Sequence, residues 1–352
     1  MGSSKSSNAI LAIVRSKFGN RIEYSDFAQM AELKSVEAVA EHIRSRLKFQ
    51  KEMESSGISV WRRGNLETVL NRYCLNEIYS ICGFERKIGD PVFKIYMISI
   101  EADEIIRFMR FLVAGHPEKY IFSMPDRLSE LSDIDLEKMA LIRSEEQFID
   151  FLANSDFYLS VVRIYKDTNN FSINPATFEA DLDRLTRIKS AEIIKDKIPK
   201  DEQKELLKII DLKAEAIDIE TIYRAKFLFG YSGDIIRSLL CSEGAYLSPG
   251  QINALISSEN EEEYIRILKS TKYKRFIGDL DSIENFNFAD VAVMSYAVHC
   301  IHFSTCPASV TFSYIVYSYM EMKNIIRIIE GVRYSIKGEE IMKNLIICGK
   351  ES

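Results

Sequence analysis

The sequence predicts an all-α fold built from three similar helical domains, and three observations carry that prediction. Glycine and proline number 15 and 7 in 352 residues. That is about 6% of the chain, roughly half the usual share. These residues punctuate turns and break helices, so their scarcity favours long helices with short connections. No run of period-two alternation marks a strand. Finally, two sequence signatures recur three times each, in the same order.

The first signature is a Ser-led helix start with acidic residues close behind. It reads Leu33-Lys34-Ser35-Val36-Glu37, then Ile142-Arg143-Ser144-Glu145-Glu146-Gln147, then Ser257-Ser258-Glu259-Asn260-Glu261. Ser144 with Gln147, and Ser258 with Glu261, have capping-box spacing, in which hydroxyl and N3 side chain satisfy each other's free backbone amides. Acidic residues in the first turn also suit the positive end of the helix dipole. Phe148, Phe151 and Leu152 then fall on one face, and each helix meets an aromatic exit at Phe49, Tyr158 or Tyr273. The second signature is a carboxylate followed by Ile four residues later and Arg six later: Glu101-Ile105-Arg107, Asp218-Ile222-Arg224 and Glu321-Ile325-Arg327. The repeat from Ser35 to Ser144 to Ser258 is about 110 residues, too long for a solenoid and right for a small domain. The expected domains are residues 8–124, 125–240 and 241–350.

The remaining elements follow from periodicity and breakers. Gly64 to Ile81 and Asp201 to Lys226 show 3.6-type spacing, whereas Asn169 to Pro175 reads as a polar loop. Ser123-Met124-Pro125-Asp126 and Ser248-Pro249-Gly250 mark turns. From Val291 to Met320 no charged side chain occurs, long enough to span a bilayer. Cys306-Pro307-Ala308-Ser309 interrupts it, so two buried helices are the better reading. The aromatic run Tyr296, Phe303, Phe312, Tyr314, Tyr317 and Tyr319 reads chiefly as core.

Composition limits the function. Hydrophobic residues make up 47% and charged residues 28%, with a net charge of −6 and a pI of about 5.5. A nucleic-acid binder needs a basic footprint, so no nucleic-acid partner is expected. Six cysteines without a C-x-x-C pair suggest thiols in a reducing compartment rather than a disulfide framework. His299, Cys300, His302 and Cys306 form a metal-like cluster, but a structural site wants four ligands and a helix break follows at once. Buried His and Cys in an apolar helix are the expectation, with no metal. Phosphate-binding Gly loops, the G-x-S-x-G elbow and H-E-x-x-H are all absent. With His42 and His116 in ordinary contexts, no catalytic residue, cofactor or small-molecule substrate is expected.

On a helix, the Ile of the second signature lies about 40° from the carboxylate and the Arg about 120° from it. The plainer and stronger reading is that each carboxylate fixes a neighbouring helix end while each Arg is solvated or bridges helices. The functional reading is that Arg107, Arg224 and Arg327, with Glu101, Asp218 and Glu321, build a polar partner-binding wall.

Several segments resemble the C-type (also called d-type) subunits of V/A-type rotary ATPases. Asn8 to Lys17 is similar to that family's first helix, Ile142 to Tyr158 to its second-domain start, and Leu239 to Leu247 to its L-x-x-x-G-x-x-L turn. Tyr317 to Ile329 resembles its Y-x-x-x-K-E-x-E-x-x-N-I-x-x-I, although Met320 stands near an acidic position of that pattern. The resemblance implies three pseudo-threefold helical domains forming a funnel. The funnel receives the central shaft, rests on the membrane proteolipid ring, and works without chemistry of its own at the cytoplasmic face. A helical scaffold outside a rotary motor is the alternative.

Overall fold

The structure is a computed structural model describing residues 3–58, 61–122, 124–155, 158–241, 244–277 and 288–347. It is 78% helix, and no strand occurs among the described residues. The chain divides into two compact units. One comprises Met1–Phe93, Ile198–Ile209 and Gly278–Ser352; the other comprises Lys94–Lys197 and Ile210–Ile277.

In the first unit the helix Pro307–Arg333 is the centre. Ser3–Gly19, Tyr24–Ala31, Arg63–Phe84, Phe288–Phe303 and Gly338–Lys343 all pack against it. Every side chain from Pro307 to Ile315 is buried. A helix surrounded on all sides must be apolar or small all round, which is why this stretch lacks charge. The interruption falls where Pro307 predicts it: Phe288–Phe303 ends and Pro307 opens the next helix at its first position. Arg15 donates to the Ile301 and Ser304 carbonyls at 2.9 and 2.7 Å, closing the end of the preceding helix. Among the described residues no helix is long and apolar enough to cross a membrane. Of the aromatic run, Phe312, Tyr314 and Tyr317 are buried, but Phe303 is 73% exposed because it sits on the last turn before the break.

In the second unit the core is an aromatic chain, Tyr120 to Phe108 to Phe148 to Phe178, with ring centroids 5.3, 5.2 and 5.9 Å apart. The polar loop appears as expected. Asn169 takes the left-handed conformation (φ 49°) that closes Leu159–Thr168, and Asn174 accepts from the Ala176 and Thr177 amides as Pro175–Lys197 begins. The predicted Asp201–Lys226 helix is observed as Lys200–Tyr223 followed by a π-turn, Arg224–Leu228.

The Ser-led starts need two corrections. Ser35 and Ser144 cap their helices, accepting from the Ala38 and Gln147 amides at 3.1 and 3.3 Å. In the third copy the cap is Asn260, which accepts from Glu263 at 2.9 Å, whereas Ser258 closes the preceding helix by donating to the Leu255 carbonyl. The return bond also differs from a capping box: Gln147 accepts from Arg143 and Glu263 from Glu259, one residue before each cap. Measured from the caps, the buried triplets are Val39-Ala40-Ile43 and Phe148-Ile149-Leu152, with Tyr264 and Leu268 in the third copy. Ile149 therefore replaces the predicted Phe151, which is only partly covered.

Candidate functional site

The three carboxylates of the second signature end in one chemical setting. Glu101, Asp218 and Glu321 are 4%, 3% and 5% exposed, each on a long helix and each aimed at the backbone of a loop. Glu101 accepts from the Asp133 amide and the Ser132 hydroxyl, both at 2.7 Å, and from Tyr158 at 3.4 Å. Asp218 accepts from the Cys241 amide at 2.8 Å and its thiol at 3.2 Å. Glu321 accepts from the Ile22 amide at 2.6 Å and from Lys48 Nζ at 2.7 Å. Burying a carboxylate is tolerable only with such charge-assisted bonds. Burial pushes the Glu101 carboxyl above the ordinary carboxylate range, with its hydrogen bonds to Ser132 and Asp133 opposing the shift.

The Ile of each set, Ile105, Ile222 and Ile325, is buried, while the side chains of Arg107, Arg224 and Arg327 keep 39%, 54% and 29% exposure. Arg107 pairs with Glu104, Arg224 approaches Glu220 at 3.6 Å, and Arg327 donates to the Asn344 carbonyl at 3.0 Å. Arg327 also lines an open groove of about 400 Å³ with Glu330, Tyr334 and Ile341.

Two functional-looking carboxylates escape the sequence signature. Glu104 is buried and accepts from Tyr120 at 2.9 Å. Glu215 is fully buried and collects the amides of Ala245, Tyr246 and Leu247 at 2.5, 2.8 and 3.0 Å, plus the Tyr273 hydroxyl at 2.7 Å. Gly244 makes this amide nest possible by adopting φ +88°, a conformation costly for other residues. The available signal was Gly244 itself. A glycine heading a short apolar turn can present consecutive amides to one anion.

These bonds also pair the repeats. The helix opened by Ser144 leads to Tyr158, which bonds Glu101 of the preceding copy. The helix opened by Asn260 leads to Tyr273, which bonds Glu215 beside Asp218. The helix opened by Ser35 leads to Phe49, which has no hydroxyl, and Lys48 bonds Glu321 of the last copy instead. Asn324 adds a two-way bond with Ile346, at 2.6 and 2.7 Å, which the first two copies lack.

The metal-like cluster takes another form. Cys300 is buried, but His299 and His302 are exposed, against the expectation of buried histidines. Their rings lie 4.9 Å from Phe303 and 5.3 Å from Phe18. Burial pushes the thiols up, Cys300 to about 12 and Cys306 to about 11. Among the described residues no group of three or more His, Cys, Asp and Glu could hold a metal.

The chain matches the ATP synthase (C/AC39) subunit model across residues 10–344, nearly its whole length. It belongs to that family. The C/AC39 subunit is thus a component of a V/A-type rotary ATPase, and its all-helical structure agrees with the fold class read from its sequence. No curated protein matches the chain.

One acidic site in this C/AC39 subunit has a pH consequence. Burial pushes Asp183 up to about 7, opposed by Lys213 and reinforced by Asp103, Glu179 and Asp218. A folded-state pKa above the unfolded one means stability that is full at low pH and lost as pH rises through about 7. Asp183→Asn is expected to raise stability relative to the parent by on the order of 2 kcal/mol more at alkaline than at mildly acidic pH. Thermal melts across that range check it, and a pH-independent difference would refute the assignment.

Proposed function

We propose that this subunit is a non-catalytic rotor adaptor at the cytoplasmic face of the membrane. It links the central shaft to the proteolipid ring and couples ATP hydrolysis or synthesis to proton or sodium transport. Three helical domains, residues 8–124, 125–240 and 241–350, close with pseudo-threefold symmetry into a funnel. Arg107, Arg224 and Arg327, on the same helical segments as Glu101, Asp218 and Glu321, contribute to the polar wall that contacts the shaft.

Family membership over residues 10–344 supports the rotary-ATPase part of this reading. The observation that carries the closed threefold part is the pairing order. A residue just beyond each opening helix, Tyr158 or Tyr273, bonds the carboxylate helix of the copy before it, and Lys48, beyond the first opening helix, bonds Glu321 of the last. A link that transmits torque must also be stiff. Buried carboxylates bonded to loop backbone fix the loops against the long helices.

Affinity isolation of the chain from native membranes is expected to recover shaft and proteolipid subunits together; recovery of neither sinks the adaptor role. For the wall, Arg107→Gln, Arg224→Gln and Arg327→Gln in one chain should weaken shaft binding at least tenfold while far-ultraviolet circular dichroism stays unchanged. Undiminished binding would remove the arginines from the interface.

A further inference from the structure

The second unit carries a dense basic ridge on an otherwise acidic chain. Arg266, Lys269, Lys272, Lys274 and Arg275 lie within ten residues without an intervening anion, and the next acid in sequence is Asp279. They occupy the end of Glu261–Lys269 and the turn leading into Lys274–Ile277. Arg266, Lys272, Lys274 and Arg275 are exposed. Lys272 Nζ lies 5.4 Å from the centre of the Tyr246 ring, and Arg275 reaches that ring at 5.5 Å while donating to its hydroxyl at 3.3 Å.

The corresponding stretch of the first copy is also basic, but its cations are spent within the fold. Arg44 pairs with Glu41, Arg46 with Asp26, and Lys48 with Glu321. In the second copy no cation occurs between Ala153 and Val162. At the third, Arg266 pairs with Glu263 at 3.2 Å, while Lys272 and Lys274 have no carboxylate partner among the described residues. Ammonium groups on long stems are point charges suited to a diffuse anionic surface rather than to one bidentate acceptor. An aromatic ring with a lysine and an arginine within 5.5 Å of its centre suits a lipid-water interface.

We propose that residues 266–275, with Tyr246, form a contact for the anionic headgroup surface of a lipid bilayer. This goes beyond the adaptor role, which requires only protein partners, and its failure would leave that role standing.

The test is sedimentation of the full chain with vesicles of phosphatidylcholine alone or with about 30% phosphatidylserine, at low salt and again at about 0.5 M, where charges are screened within a few ångströms. Binding to the anionic vesicles alone, lost at high salt, is expected. Lys272→Gln with Lys274→Gln should weaken it about 30-fold, since each cation near such a surface contributes about a fivefold factor. Lys138→Gln with Lys197→Gln, the same charge change elsewhere in the unit, should alter it less than threefold. Equal binding to both vesicle types, no binding at low salt, or an undiminished ridge variant would overturn the proposal. Binding to polyglutamate but not to vesicles would assign the ridge to an acidic protein segment and overturn it equally.

Discussion

Glu215→Ala is expected to cost about 3–5 kcal/mol of stability. The carboxylate is fully buried and is the common acceptor for the Ala245, Tyr246 and Leu247 amides and the Tyr273 hydroxyl. Alanine would strand four donors away from water and open a small cavity. Each unsatisfied buried donor costs about 1–3 kcal/mol, although part is recovered by relaxation and water entry. Glutamine keeps the volume but exchanges one acceptor for a donor, so an intermediate loss is expected. A drop of the melting temperature, with faster amide exchange at residues 245–247, is the predicted result. A loss under about 1 kcal/mol would mean that the turn finds other partners and that the nest is incidental.

The second large effect is expected beside the turn between two helices, at the fourth residue of Arg86–Val113. Gly89 lies against the Cys82 carbonyl so closely that a Cβ would fall inside it. The obstacle is backbone on both sides: the Gly89 amide itself donates to the Glu85 carbonyl at 2.7 Å. Relief would require Arg63–Phe84 and Arg86–Val113 to separate where they meet. Gly89→Ala should therefore destabilise by about 3 kcal/mol or more, at the upper end of overpacking costs. Gly83, two residues from the same turn, has open space around its Cβ position. Gly83→Ala should be neutral or stabilising by up to about 1 kcal/mol through helix propensity. Parallel chemical denaturation of the two variants checks the contrast, and equal effects would refute the steric account.

Much of the architecture was legible before any coordinates. Helix class followed from the scarcity of Gly and Pro. The break at Pro307, the loop at Asn169–Pro175 and the caps at Ser35 and Ser144 followed from local chemistry that needs no distant partner. The third cap was misplaced because Ser258 and Asn260 are both good capping residues, and the choice lies in where the preceding helix ends. Phe151 was misjudged for a related reason: its ring lies on the edge of the buried face, and periodicity alone gives no edge.

The sequence by itself determined the all-helical class, the repeated carboxylate-Ile-Arg spacing and the family resemblance, because these depend on local backbone preference and on residue order. Only the tertiary structure decided what the carboxylates do. Glu215 pairs with amides 30 to 32 positions away, and Glu321 with Ile22 and Lys48 near the other end of the chain. Such partners are chosen by burial, which makes an unbonded charge intolerable, and burial is a property of the packed chain that no local window of sequence contains.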